Sequence, residues 1–122
     1  MVSTNCRGTL LYWIGARDED SYANPEDITS ILHQYTPTTK PNLGDLALWR
    51  PIHEGFVDVL HAGLVVQRSP IIVASRLGGD GPIRKLEAPH VMPALGWYYD
   101  YHIEYHRRTD ADLLGAIMAR LI

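Results

Sequence analysis

The chain has a single cysteine, Cys6, so no disulfide can form within it and packing alone must hold the fold. It has no excess of positive charge. Eleven Lys+Arg stand against fourteen Asp+Glu for a net charge of −3, which removes the electrostatic footprint on which nucleic-acid binders depend. It has no apolar run approaching the roughly 20 residues that cross a bilayer. Residues Met1-Val2-Ser3-Thr4-Asn5 carry neither the charged nor the apolar region of a signal peptide. The expected compartment is therefore the cytoplasm, unless the chain is exported by a route that reads no such signal or is cut from a larger protein. There is no internal repeat and no low-complexity segment. What remains is ordinary globular composition: 122 residues, 46% hydrophobic and 20% charged. A chain of that size fits one domain spanning 1–122 and can bury about two-thirds of its unfolded surface.

Proline and glycine divide the chain into four parts. Residues 5–16 predict a helix, with Asn5 as the cap and Leu10, Leu11, Trp13 and Ile14 on one side. Gly8 weakens that reading slightly. Asp18-Glu19-Asp20 reads as a solvated loop. Residues 24–35 predict a second helix: Asn24 caps, Pro25 takes the first position, and Glu26 and Asp27 suit the positive end of the dipole. Thr36–Gly44 reads as loop. Strands are expected over 45–50, 57–67, 71–75, 83–86 and 98–106. In the first of these, Leu46 and Leu48 point one way, Ala47 and Trp49 the other. A final helix is expected over 109–122. Helices first and an antiparallel sheet afterwards indicate an α+β fold.

The candidate chemistry centres on Cys6 and His61. A sulfur nucleophile works as a thiolate, and a free thiol has a pKa near 8.5. A helix N-terminus and a nearby histidine both lower it, and the predicted cap at Asn5 puts Cys6 in a first turn. The competing reading is a small buried apolar residue. His61 sits within V-L-H-A-G-L-V-V, where water is scarce. It reads either as a core histidine with satisfied hydrogen bonds or as a general base held by the sheet. Gly63 lies on the same strand face and leaves open space beside the imidazole. A nucleophile on a helix and a base on the sheet it packs against is the division of labour of cysteine hydrolases.

Three segments then carry a resemblance. N-C-R-G at 5–8 is similar to D-C-S-G, G-D-L-A-L-W at 44–49 to G-D-L-V-F-F, and H-A-G-L-V-V at 61–66 to H-V-G-I-Y-L, all of the NlpC-type papain-like cysteine peptidases. Order and rough distances also agree, over Asn5 to about Gly81. The resemblance implies a papain-like fold with N-terminal helices on a small antiparallel sheet and a C-terminal helix. It implies Cys6 as nucleophile, His61 as base, and no cofactor. The reaction would be cleavage of an amide or isopeptide bond in a peptide, such as a bacterial cell-wall peptide. Where the family places a third polar residue, this chain has Val73. The segment S-R-L-G-G-D-G-P at 75–82 resembles instead the S-K-W-G segment of one bacterial branch, which makes Ser75 the residue that orients His61. His90, between Pro89 and Pro93, is the alternative. Two further readings stay open: a protein-directed cysteine protease or deamidase effector, and a non-catalytic binding module of the same fold. A weaker one is an immunity or adaptor protein that blocks such an enzyme. The expected partner is thus a peptide or protein, not nucleic acid or membrane.

Other features point less sharply. His102, Glu104 and His106 would share one strand face, where zinc is conceivable, but ordinary exposed polarity explains them. R-L-G-G-D-G-P lacks the Lys-Ser/Thr that grips phosphate and reads as a turn. Trp97, Tyr98, Tyr99, Tyr101 and Tyr105 read as packing, or as a platform for a peptide or sugar.

Overall fold

A computed structural model describes residues 2–52, 59–97 and 100–108. In chain order these form α1 (Cys6–Trp13), α2 (Pro25–Thr29), a 3₁₀ turn (Leu32–Gln34), β1 (Tyr35–Thr38), β2 (Leu46–Pro51), β3 (His61–Arg68), β4 (Ile71–Arg76), β5 (Ile83–Glu87), α3 (Ala88–Ala94) and β6 (Tyr101–Arg108). The strands make one six-stranded antiparallel sheet in the order β1-β6-β2-β3-β4-β5. The architecture is α+β, as the order of helices and strands predicts. The expected final helix at 109–122, the start of the 98–106 strand at Tyr98 and Tyr99, and residues 57–58 of the 57–67 strand lie outside the described residues.

Both faces of the sheet are covered. Leu46 and Leu48 of β2, Ala62 and Leu64 of β3 and Ala74 of β4 pack against Leu10, Leu11, Trp13 and Ile14 of the α1 region and Ile28 of α2. Ala47 and Trp49, Val65 and Val73 face the other way, onto Ala88, Val91 and Met92 of α3. The alternation expected within β2 is what splits it between two cores.

Helix α1 is started by its cap. The Asn5 Oδ1 accepts the Gly8 N–H at 2.9 Å and the Ala23 N–H at 3.1 Å, while its Nδ2 donates to the Ala23 carbonyl at 2.9 Å. One side chain therefore caps the helix and pins the segment 21–23 across it. Gly8 permits that crossing: a Cβ there would lie 1.6 Å from the Ser21 carbonyl oxygen. The residue that weakens the helix locally is the one the tertiary contact requires.

Several expectations need correction. The helix expected over 24–35 stops at Thr29, and Tyr35–Thr38 is strand rather than helix end and loop. The hydroxyls of Thr29 and Ser30 turn back onto the carbonyls of Pro25 and Asp27, a competition with the helix ladder that short polar side chains set up. Tyr-Thr-Pro-Thr then suits an edge strand, rich in β-branched residues and able to carry Pro37 without a ladder donor. The proline-flanked stretch around His90 is a short helix, because Pro89 in the first turn is pre-organised for helical geometry and Val91 and Met92 bury onto the sheet. Asp20 is not simply solvated. Its carboxylate accepts from the Thr4 hydroxyl, from Thr9 Oγ1 at 2.7 Å and from Arg76 at 2.9 Å.

Candidate active site

The Gly44-Asp45 pair turns the chain into β2. Gly44 takes a φ of +85°, which favours glycine, and the buried Asp45 carboxylate closes the turn by accepting the Asn42 N–H at 2.7 Å. Arg107 of β6 grips the same carboxylate with Nε at 3.1 Å and Nη2 at 2.9 Å, a two-point contact of the strong charged kind. On its other side β2 pairs with β3, with Trp49 directly opposite His61.

His61 is the first residue of β3, not its middle, and is 1% exposed. Its ring meets Trp49 edge-on, with centroids 5.2 Å apart. Its Nε2 lies 2.9 Å from the hydroxyl oxygen of Ser75, which is itself 2% exposed. Gly63 makes that bond possible, though not by leaving the open space expected of it. Val73 Cγ1 and the Ser75 Cβ already fill the position, at 2.4 and 3.0 Å from where a Cβ would stand. The missing side chain lets β4 close onto β3 so that Ser75 reaches the imidazole. Burial first, and then the nearby Arg7 charge, push the His61 pKa down from 6.5 to about 3, so the imidazole is neutral at physiological pH.

Cys6 opens α1 and is 8% exposed. The backbone N–H groups of Ala62, Arg7 and Cys6 itself and the charge of the Arg7 guanidinium act on its sulfur electrostatically. All of these favour a thiolate. Burial outweighs them and pushes the thiol up from 9.0. The expectation that the helix start lowers this pKa is thus reversed: the resting sulfur is a neutral thiol.

The site therefore brings Cys6 under the influence of the β3 backbone at Ala62, the residue next to His61, and joins His61 to Ser75. Alternation sets the His61 ring on the side of Trp49 and Ser75, whereas Cys6 comes from the α1 side. Among the described residues no hydrogen bond links thiol to imidazole. His90 is exposed on α3 and, among the described residues, shares no hydrogen bond with His61, and Val73 is buried apolar packing. Sequence reasoning missed Arg7. Its Nε donates to the Ala23 carbonyl at 3.0 Å and its Nη1 to the Val59 carbonyl at 3.1 Å. An arginine beside a candidate nucleophile was the signal that could have found it.

The remaining candidates lie elsewhere. His102 and His106 set their Nε2 atoms 3.1 and 3.2 Å from the two oxygens of Glu104, which also accepts from Arg50 at 2.6 Å. Burial works against ionisation of that carboxyl, but these three donors hold it at about 2. Among the described residues no group of three His, Cys, Asp or Glu is arranged to hold a metal. An open groove lined by Pro37, Thr38, Ile103, Glu104, Tyr105 and His106 runs along β1 and β6, apart from Cys6, His61 and Ser75. Tyr98, Tyr99 and His53 are outside the described residues. No described helix is long and apolar enough to cross a membrane. No family model matches this chain, and no curated protein or solved structure does either.

Proposed function

We propose that this chain is a cysteine hydrolase with an NlpC-type papain-like fold, cleaving an amide or isopeptide bond in a peptide. The single observation that carries the reading is Cys6 at the start of α1, with the backbone N–H groups of the helix start and of Ala62, the residue beside His61, acting on its thiol. Such a set of donors is suited to a thiolate and to the oxyanion that develops when sulfur attacks a carbonyl. The His61–Ser75 bond is the second support. With Nε2–H donating to the Ser75 oxygen, Nδ1 is left as the base nitrogen, and a hydroxyl does the orienting that a carboxylate does elsewhere.

The resting pair is neutral, so the proton moves within it. His61 Nδ1 takes the Cys6 proton as sulfur bonds to the carbonyl carbon. The oxyanion is held by N–H groups at the helix start. When the tetrahedral intermediate collapses, the imidazolium gives its proton to the departing amine, leaving a thioester on Cys6. Water, deprotonated by His61, then releases the acid. Thiolate and imidazolium attract each other, so forming both together costs less than either ionisation alone would suggest. Productive proton transfer requires sulfur and Nδ1 within about 3–4 Å.

Cell-wall peptides are the substrate class the resemblance favours. They lie outside the cytoplasm, so the protein would act there. A protein substrate inside a target cell is the other setting for the same chemistry.

A specific observation favours a second reading, a non-catalytic binding module. Both candidate groups are buried and share no hydrogen bond. An acyl probe separates the two. With p-nitrophenyl acetate, the hydrolase gives a burst of one nitrophenol per chain and an acetyl group on Cys6 by intact mass. Cys6→Ala abolishes both. No acylation of the folded protein, or equal acylation of Cys6→Ala, supports the binding module instead.

A further inference from the structure

We propose that Arg76 is a positioning residue: with Asp20 it braces the helix that carries Cys6 against the strand that carries Ser75, and so sets how the thiol meets the imidazole. The inference rests on the reading of Cys6 and His61 as the reacting pair and deepens it. Ser75 and Arg76 are neighbours on β4 and point to opposite faces of the sheet. Ser75 holds the His61 ring at 2.9 Å. Arg76 reaches α1, where its Nε donates to Thr9 Oγ1 at 2.8 Å and its Nη2 to the Asp20 carboxylate at 2.9 Å. The same carboxylate accepts the hydroxyls of Thr9, at 2.7 Å, and of Thr4. Thr4 lies two residues before Cys6 and Thr9 three after it, so one ion pair grips the first turn of α1 from both ends. The third arm of the guanidinium, Nη1, donates to the Gly81 carbonyl at 2.7 Å. The turn that carries Gly81 is tied to the same segment: the Asp80 carboxylate accepts the Thr4 N–H at 3.0 Å, and the Asp80 N–H donates to the Thr4 carbonyl at 3.1 Å.

Arg76 and Asp20 neutralise each other and are part-buried, so what they supply to Cys6 is position rather than charge. An apolar pair of similar size would hold the two layers together about as well. It would not fix their spacing, whereas a planar guanidinium meets its acceptors in directions set by its own geometry. Among the described residues thiol and imidazole share no hydrogen bond, so their approach is set by the elements that carry them. Proton transfer between sulfur and Nδ1 needs that approach to be close, and a displacement of about 1 Å can cost roughly 10² in rate.

The test is acylation of Cys6 by p-nitrophenyl acetate in the whole chain, in which sulfur bonds to the acetyl carbon, nitrophenolate leaves and the thiol proton passes to His61. Arg76→Met combined with Asp20→Leu removes both partners, orphans no charge and leaves the Thr4 and Thr9 hydroxyls, 3.4 Å apart, to each other. In the folded double variant, acylation near neutrality is expected to slow by about 10²-fold. Its rate should rise with pH, roughly tenfold per unit, where the native profile is nearly flat. Arg76→Lys keeps the charge but not the planar fork and is expected to fall between the two. A loss of stability alone would change neither the profile nor the rate per folded chain. A folded double variant with the native rate, or with a slower rate on the native profile, overturns the role of Arg76 and leaves the nucleophile reading standing. Should the double variant not fold, Arg76→Lys decides by itself: the native rate in folded protein overturns the brace, and a reduced rate that climbs with pH upholds it. A native chain that is not acylated at all overturns both readings together.

Discussion

At the scale of single residues, the account turns on groups whose surroundings oppose their charged forms. His61 is expected to leave a mark on stability as well as on chemistry. Its pKa is near 3 in the fold against 6.5 in an unfolded chain, so between those values the unfolded state binds more protons. The stability that neutral His61 contributes is therefore complete above pH 6.5 and is lost as pH falls toward 3, by up to about 1.4 kcal/mol per pH unit. Carboxylates such as Glu104, whose ordinary value is 4.5, enter only lower down. Between pH 6.5 and 4.5, thermal melts should show the native chain losing stability faster than His61→Gln, and parallel curves would contradict this. Ser75→Ala removes the partner of a buried ring nitrogen and is expected to cost about 1–3 kcal/mol. It should also slow acylation of Cys6, with Ser75→Thr recovering part of the rate. A variant that loses stability yet acylates at the native rate would show that Ser75 only packs.

At the scale of elements, the sequence was informative wherever one residue type answers one local demand. Asn5 as a cap and the alternation in 46–49 both follow from backbone chemistry that needs no partner. What stayed hidden depended on other elements. Tyr35–Thr38 becomes a strand because β6 offers it an edge, Tyr35 opposite Arg108. Ala88–Ala94 becomes a helix because Val73 and its neighbours offer a surface. The site was legible to the same extent. The pairing of His61 with Ser75 followed from the resemblance of 75–82 to one bacterial branch. The sealing of Cys6 and His61 did not follow, because burial is set by everything packed around them. Gly8 shows the two levels in conflict: alanine improves helix propensity by roughly 1 kcal/mol, yet its Cβ would overlap the Ser21 carbonyl. Gly8→Ala is expected to destabilise by about 1–3 kcal/mol or more, read as a lower denaturant midpoint. A stabilised variant would mean that the crossing segment is not held against α1.

At the scale of the molecule, the sheet serves as the frame that brings distant parts of the chain to the first residues of β3. Asp45 ties β2 to β6 through Arg107, 62 positions away in sequence. That tie sits two strands from Ser75, so it separates folding from chemistry. Asp45→Ala is expected to lower stability by about 1–3 kcal/mol while the folded fraction acylates Cys6 at the native rate. A proportional loss of rate in fully folded protein would show that the site depends on the far edge of the sheet. The claim on which the functional reading stands is that thiol and imidazole act as one unit. The most direct measurement is the pH dependence of Cys6 acylation by p-nitrophenyl acetate in the native chain and in His61→Gln. A proton that only shifts within the pair leaves the native rate nearly flat across about pH 5–8. His61→Gln should then be slower by about 10²–10⁴ near neutrality and rise roughly tenfold per pH unit, as an isolated thiol does. Equal rates with the same pH slope in both proteins would contradict the claim and leave Cys6 a buried thiol in a binding fold.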